Sequence, residues 1–155
     1  MLTTGKLVPA LKALSTSGET RLRDLRGQFV VVYFYPKDNT TGCTREAQDF
    51  RDLATKFKKH NAVILGVSRD SLKSHENFRT KHKLPFDLIA DTDETWCKAF
   101  DVIHEKKLYG KAYVGIVRST FLIGPDGRLL HEWRGLKVPG HAQQVLATLG
   151  VLAAK

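Results

Sequence analysis

The sequence predicts an α/β fold in which a mixed sheet is covered by helices on both faces. Two apolar runs, Phe29 to Tyr35 and Ala62 to Val67, are each followed by a segment with helical spacing of apolar residues. Later, the turn signal Gly124-Pro-Asp-Gly127 separates two extended segments, and an amphipathic segment closes the chain. Parallel strands joined by helices, with an antiparallel pair last, form such a layered sheet.

The elements follow in chain order. The first 27 residues contain turns, short extended pieces and one helical turn near Leu22 and Leu25. A buried strand over 29–35 consists of seven apolar residues, and a helix over 44–60 begins at or just before Cys43, with Thr40 or Thr41 as the capping candidate. The remaining predictions are a strand over 62–67, a helix over 71–82, a strand over 86–90, a helix over 92–100, a hairpin of 119–123 and 128–133, and a helix over 141–152.

The gross composition is that of one globular domain covering residues 1–155. Hydrophobic residues make up 42% and charged residues 26% of the chain. No apolar run approaches the roughly 20 residues needed to span a bilayer, so we expect no membrane partner. The N-terminus lacks the basic and apolar regions of a secretion signal. With only two cysteines and no disulfide scaffold, we expect a cytoplasmic protein.

The charge is strongly basic: 25 Lys and Arg against 16 Asp and Glu give a net charge of +9. This excess raises the possibility of a nucleic-acid binder. The basic residues are dispersed in small clusters, however, without a basic arm or an aromatic-interleaved stripe. The pattern therefore favours a solvated surface that attracts anions, and we expect no nucleic-acid partner.

Cys43 is the first candidate for chemistry, because it follows the first strand at the start of a helix. Ligand sites of α/β sheets lie at that edge. A metal site is not expected, since no cysteine or histidine lies within fifteen residues of Cys43, and Glu46 occupies the position that a Cys-x-x-Cys pair would need. A small core cysteine stays an alternative, although the flanking residues are polar. Helix starts and arginines stabilise thiolates, so a nucleophile is favoured.

Four segments together resemble one known family. "YFYPKDNTTGCT" is similar to the active-site stretch of peroxiredoxins, with Pro36, Thr40 and Cys43 spaced as Pro-x-x-x-Thr-x-x-Cys. "ILGVSRDSLKSHENF", "ADTDETWCKAFDV" and "YGKAYVGIVRSTFLIGPDG" resemble the bacterioferritin-comigratory, or peroxiredoxin Q, class in order and spacing. The resemblance covers nearly the whole chain from about Leu22.

The resemblance implies a thioredoxin-like fold with a short N-terminal extension. It also implies a thiol-dependent peroxidase, acting in antioxidant defence, that reduces hydrogen peroxide and organic hydroperoxides without a cofactor or metal. In that family an arginine at the position of Arg118 reaches the peroxidatic cysteine, here Cys43. Thr40 offers a hydroxyl, and Pro36 shields the cysteine from water. Glu46 matches the family's Glu or Gln one helical turn on; its alternative is an exposed helix carboxylate.

The sulfenic acid that peroxide would leave on Cys43 must be reduced. The resemblance places the usual resolving cysteines at positions that are here Gln48 and Arg79. Cys97 is the remaining candidate resolver, but a packing role is favoured because a disulfide needs two adjacent sulfurs. We therefore expect a one-cysteine cycle, recycled by thioredoxin, glutaredoxin or a small thiol. The resemblance also implies a monomer. A two-cysteine enzyme whose resolver was replaced, and a peroxide sensor without turnover, are the alternatives.

Overall fold

The computed structural model describes residues 2–155. The strands are β1 (Lys12–Ser15), β2 (Gly18–Arg21), β3 (Phe29–Phe34), β4 (Ala62–Ser68), β5 (Asp87–Ala90), β6 (Ile103–Leu108), β7 (Lys111–Ile116), β8 (Ser119–Ile123) and β9 (Leu129–Arg134). The helices are α1 (Thr41–Lys59), α2 (Leu72–His82), α3 (Thr95–Ala99) and α4 (His141–Ala153), with a 3-10 turn at Leu22–Leu25. The elements predicted from Phe29 onward are therefore present, with ends shifted by a few residues.

Seven strands form one mixed sheet in the order β2-β1-β5-β4-β3-β8-β9. The central strand β3 pairs parallel with β4 and antiparallel with β8. The predicted late hairpin is β8 and β9, which pair antiparallel at the edge of the sheet. This arrangement matches the thioredoxin-like fold that the family resemblance implied. The parallel strands β3 and β4 are neighbours in the middle of the sheet, so their C-terminal ends lie side by side.

The core has two layers because side chains alternate along β3. Val30, Val32 and Phe34 belong to one buried cluster, together with residues of α3. Val31 and Tyr33 belong to the other, together with residues of α1, α2 and α4. Successive side chains of a strand point to opposite faces of the sheet, so each apolar strand residue is buried on one side or the other.

Two hairpins were not specified by the sequence pattern. β1 and β2 pair with each other, and Ser15 of β1 pairs with Ile89 of β5, so part of the N-terminal extension joins the main sheet. β6 and β7 pair only with each other and form a separate two-stranded sheet. Most side chains of this second hairpin are exposed, so its sequence lacks the apolar alternation that marks a half-buried strand.

The helices within residues 2–155 are too short or too polar to cross a membrane.

Candidate active site

Cys43 lies in the first turn of α1, beyond the end of β3. Thr41 is the first helical residue, and Thr44 N donates to the carbonyl of Thr40 at 2.9 Å. The side chain of Cys43 packs in the cluster that contains Ala47 and Phe50, and the residue is only 2% exposed. The first N–H groups of a helix have no partner inside it, so they present positive partial charge near the sulfur.

Arg118 reaches this sulfur because of the register of the sheet. It directly precedes β8, whose first residue Ser119 pairs with Phe34 at the end of β3. Arg118 Nη2 donates to Cys43 Sγ at 3.3 Å. Gly42 leaves room for this contact, since a Cβ at that position would lie 3.3 Å from Arg118 Nη2. The structure thus brings together the cysteine and the arginine that the family resemblance paired.

Glu46 is a buried member of the same cluster and not the exposed carboxylate that was its alternative. One turn after Cys43, it is 1% exposed and accepts from Arg118 Nη1 at 2.6 Å. Burial raises the pKa of Glu46 to about 7, although the charge and hydrogen bond of Arg118 act in the opposite direction. The second oxygen, Oε2, has no hydrogen-bond partner in the part of the chain described. Glu46 therefore binds one terminal nitrogen of the Arg118 guanidinium, Nη1, while the other, Nη2, faces the sulfur.

Thr40 and Pro36 lie on the loop between β3 and α1. Thr40 is the N-cap of α1 by its backbone, but its side chain makes no capping bond; its hydroxyl donates to the carbonyl of Lys37 at 3.0 Å. The hydroxyl is exposed and its oxygen retains acceptor capacity. Pro36 is half-buried where β3 ends. Thr40, one of the two predicted capping candidates, is therefore the N-cap residue, but its hydroxyl closes the preceding turn and does not bond to the helix.

A buried cluster of hydrogen bonds around Asp38 fixes this loop, and the sequence pattern did not predict it. Asp38 is 4% exposed, and its carboxylate accepts from the Tyr35 hydroxyl at 2.6 Å and from the Ser74 hydroxyl at 2.9 Å. His75 Nδ1 lies 2.7 Å from the same carboxylate. The backbone N–H of Asp38 donates to Asp70 at 2.9 Å. The active-site loop is thereby tied to α2 and to the end of β4 through one aspartate.

Asp38, Asp70 and His75 also have the geometry of a possible metal site, with ligand atoms within 4.8 Å of one another. However, His75 Nε2 lies 2.9 Å from the carbonyl of Ile89 while Nδ1 faces Asp38. Each ring nitrogen of His75 therefore already lies within hydrogen-bonding distance of an oxygen of the protein. The signal for the burial of His75 in the sequence is its position one turn before the buried Phe78.

Cys97 lies on the opposite face of the sheet from Cys43. It belongs to the cluster of Val30, Val32 and Phe34, and it is fully buried. Its backbone N–H donates to Asp91 at 2.8 Å. Burial, reinforced by Asp91, raises the pKa of the Cys97 thiol well above its ordinary value. Both cysteines are free.

The two positions of the usual resolving cysteines lie in regular helices. Gln48 is half-buried in the second turn of α1. Arg79 lies in α2, where its Nε donates to the carbonyl of Phe86 at 3.0 Å. Neither residue can supply a second sulfur.

Three features together are typical of a peroxiredoxin: a thioredoxin-like sheet, a cysteine at the start of a helix, and an arginine held against its sulfur. Peroxiredoxins are thiol-dependent peroxidases that act on peroxides with a thiol reductant. The comparison with protein families agrees: the AhpC/TSA family matches residues 4–132. The chain belongs to that family.

Its relatives place it more narrowly. It is 54% identical over 137 residues to peroxiredoxin Bcp of Xanthomonas campestris, covering 88% of this chain and 86% of the relative. It is 49% identical over 152 residues to peroxiredoxin Bcp of Bacillus subtilis, covering 97% of each. Among solved structures, the X. campestris bacterioferritin comigratory protein has a TM-score of 0.91 at 49% identity, covering 97% of this chain and 99% of that one. These relatives do not favour the sensor or the nucleic-acid alternative.

Proposed function

We propose that the chain reduces hydrogen peroxide and organic hydroperoxides through direct attack of Cys43 on a peroxide oxygen. The observation that carries this proposal is the 3.3 Å contact between Arg118 Nη2 and Cys43 Sγ at the start of α1. A guanidinium is charged at every working pH, and the helix start adds positive partial charge. Both favour the thiolate, which is the reactive form of a cysteine. The related bacterioferritin comigratory protein of X. campestris has alkyl peroxide reduction activity.

In the first half of the cycle the Cys43 thiolate forms a bond to one peroxide oxygen while the O–O bond breaks. The other oxygen leaves with the electron pair, takes a proton from solvent and becomes water or an alcohol. The sulfur, oxidised by two electrons, is left as a sulfenic acid. N–H groups of Arg118 and of the helix start stabilise the charge that develops on the oxygens.

The other site residues position these groups. We assign Glu46 to the orientation of Arg118, since it accepts one N–H of the guanidinium from a buried position. Thr40 has an exposed hydroxyl oxygen that can accept a hydrogen bond from the O–H of the bound peroxide. Pro36 has no N–H and covers the end of β3, which fits the exclusion of water from the sulfur.

In the second half of the cycle an external thiol reduces the sulfenic acid. Cys97 and Cys43 lie in core clusters on opposite faces of the sheet, which argues against a disulfide between them. Gln48 and Arg79 carry no sulfur. We propose thioredoxin, glutaredoxin or a small thiol as the donor, the cytoplasm as the compartment and a monomer as the working unit.

Steady-state peroxide consumption tests this function. The purified chain is mixed with hydrogen peroxide or cumene hydroperoxide and with reduced thioredoxin, glutaredoxin or dithiothreitol in separate reactions. We expect many turnovers per protein with at least one donor. A single equivalent of peroxide consumed, whatever the donor, would contradict a peroxidase and support a sensor that is oxidised once.

A further inference from the structure

The hairpin of β6 and β7, residues 103–116 and hereafter the arm, carries an unusual share of the exposed apolar surface. Seven large apolar side chains are exposed within residues 2–155, and four of them belong to the arm. They are Leu108, Tyr109, Tyr113 and Val114. Exposed apolar side chains that cluster on one element mark surfaces that bind a partner, whereas isolated ones are ordinary.

The arm is also basic. It contains three lysines and a single glutamate, and Lys107 and Lys111 are exposed. Leu108 pairs with Lys111 across the hairpin, and Tyr113 pairs with Lys106, so apolar and cationic side chains share one face. A partner that covers this face needs apolar groups together with negative charge.

This face adjoins the active site. β7 ends at Ile116, two residues before Arg118, and Lys106 Nζ donates to the carbonyl of Ile116. Tyr113 folds back toward the base of the arm over Gly115, where a Cβ would lie only 3.2 Å from the ring. Burial, and to a smaller extent the positive charge of Arg118, lower the pKa of Lys106. The inner part of the arm is therefore close enough to Arg118 for the two charges to interact.

A reductant of Cys43 has to contact the surface around the sulfur. The sulfur belongs to a residue that is 2% exposed, and the second cysteine of the chain lies on the other face of the sheet. The thiol of another protein can reach such a sulfur only while its surface packs against the rim of the site. The arm is next to that surface in the chain, because its second strand ends two residues before Arg118.

We propose that the arm is the docking surface for a dithiol reductant protein whose surface around its thiols is apolar and acidic. This inference rests on the proposed function. One thiol of the docked protein attacks the Cys43 sulfenic acid, so an S–S bond forms, the S–O bond breaks, and the oxygen leaves as water with the thiol's proton. The second thiol then displaces Cys43, which returns to the thiolate, and the donor is oxidised to a disulfide.

Separate measurements of the two half-reactions test the proposal. The variants are Lys111→Glu and Leu108→Ser/Tyr113→Ser, which all change the face that Leu108 and Lys111 share. The donors are a reduced thioredoxin of net negative charge and dithiothreitol. We expect KM for thioredoxin to rise at least tenfold, with oxidation by hydrogen peroxide and turnover with dithiothreitol unchanged within twofold. In the wild type, added salt should lower kcat/KM for thioredoxin but not for dithiothreitol.

Matched controls lie far from the arm. Lys59→Glu makes the same charge change at the opposite end of α1. Leu14→Ser removes an equally exposed leucine, 58% against 56% for Leu108, from β1 near the other edge of the sheet. These variants should keep the wild-type KM for thioredoxin. Hydrogen exchange of the reduced chain with excess thioredoxin should show protection of residues 103–116, which is measured without turnover.

The outcomes separate the two proposals. If peroxide oxidises the chain and thioredoxin reduces it, but arm variants keep the wild-type KM, the docking surface is wrong and the peroxidase function stands. If arm variants change only the sedimentation behaviour of the chain, the arm binds a second copy and the proposal is overturned. A wild-type chain that peroxide does not oxidise overturns both.

Discussion

Two cysteines lie on the two faces of one sheet, and their surroundings differ in charge. Cys43 begins α1 and accepts a hydrogen bond from Arg118. Cys97 lies in the short helix α3, fully buried, with the carboxylate of Asp91 beside its backbone. Burial and Asp91 raise the pKa of Cys97, so this sulfur stays a thiol.

The difference shows that burial alone does not decide the chemistry of a cysteine. Both residues are almost inaccessible, at 2% and 0% exposure. What distinguishes them is the sign of the nearest charge: a guanidinium and a helix start at Cys43, and a carboxylate at Cys97. A positive neighbour favours a thiolate and a negative one opposes it.

The largest expected effect comes from removing the sulfur of Cys43, whereas removal of the Cys97 sulfur should have almost none. Cys43→Ser should abolish turnover of hydrogen peroxide, because a serine hydroxyl is not ionised at neutral pH. Cys97→Ala should leave kcat/KM for peroxide and turnover with dithiothreitol within twofold of the wild type. Loss of turnover in Cys97→Ala, in a variant that is still folded by circular dichroism, would show that Cys97 resolves the cycle.

Removing the positive charge should have the next largest effect. Arg118→Met should lower kcat/KM for peroxide by about 10²- to 10³-fold, the usual loss for a donor that stabilises developing charge. Arg118→Lys should recover only part of this activity, because one ammonium group cannot reach both Cys43 and Glu46 in the geometry of a guanidinium. Stopped-flow oxidation measures both variants. An Arg118→Met variant with wild-type kcat/KM would contradict the role of this charge.

The loop that precedes Cys43 should depend on the buried carboxylate of Asp38. Asp38→Asn removes a charged acceptor that the Tyr35 hydroxyl and His75 contact, so we expect the free energy of unfolding to fall by about 3 kcal/mol. Asp52→Asn is the control, since Asp52 forms an exposed pair with Arg51 and its replacement should cost less than about 1 kcal/mol. Urea denaturation compares the two. Equal losses would show that the Asp38–His75 pair does not stabilise the loop.

A smaller effect is expected at Glu46, and it depends on pH. Its pKa in the folded chain, about 7, is higher than the model-peptide value of 4.5, so the folded state binds the proton more tightly than the unfolded state. Its contribution to stability is therefore fully present below about pH 4.5 and is lost as pH rises through 7. Glu46→Gln keeps an acceptor for Arg118 and removes this titration.

We expect Glu46→Gln to match the wild type at pH 4.5 and to be more stable by about 2–3 kcal/mol at pH 8. Urea denaturation across this pH range gives the difference. A difference that does not change with pH, or a less stable variant at pH 8, would contradict the raised pKa of Glu46.

Much of the fold, and the position of the candidate site, could be predicted because both depend on local sequence patterns. The apolar run before Pro36 predicts β3, and the polar turn that contains Cys43 predicts the start of α1. The role of Arg118 was predicted only through the family resemblance, because it is the pairing of β3 with β8 that brings this residue to Cys43. Contacts between elements distant in sequence have no local pattern, and the Asp38–His75 pair is one of them. The two strands of the arm were not predicted, because both faces are largely exposed to solvent and the sequence therefore has no alternation of apolar and polar residues.

Intact mass after one equivalent of hydrogen peroxide, with peptide mapping, tests most directly which sulfur is the nucleophile. We expect the gain of one oxygen, located on Cys43 and trapped by dimedone, with Cys97 unmodified. Oxidation of both cysteines to similar extents, or the loss of two hydrogens with a bond mapped between Cys43 and Cys97, would contradict it.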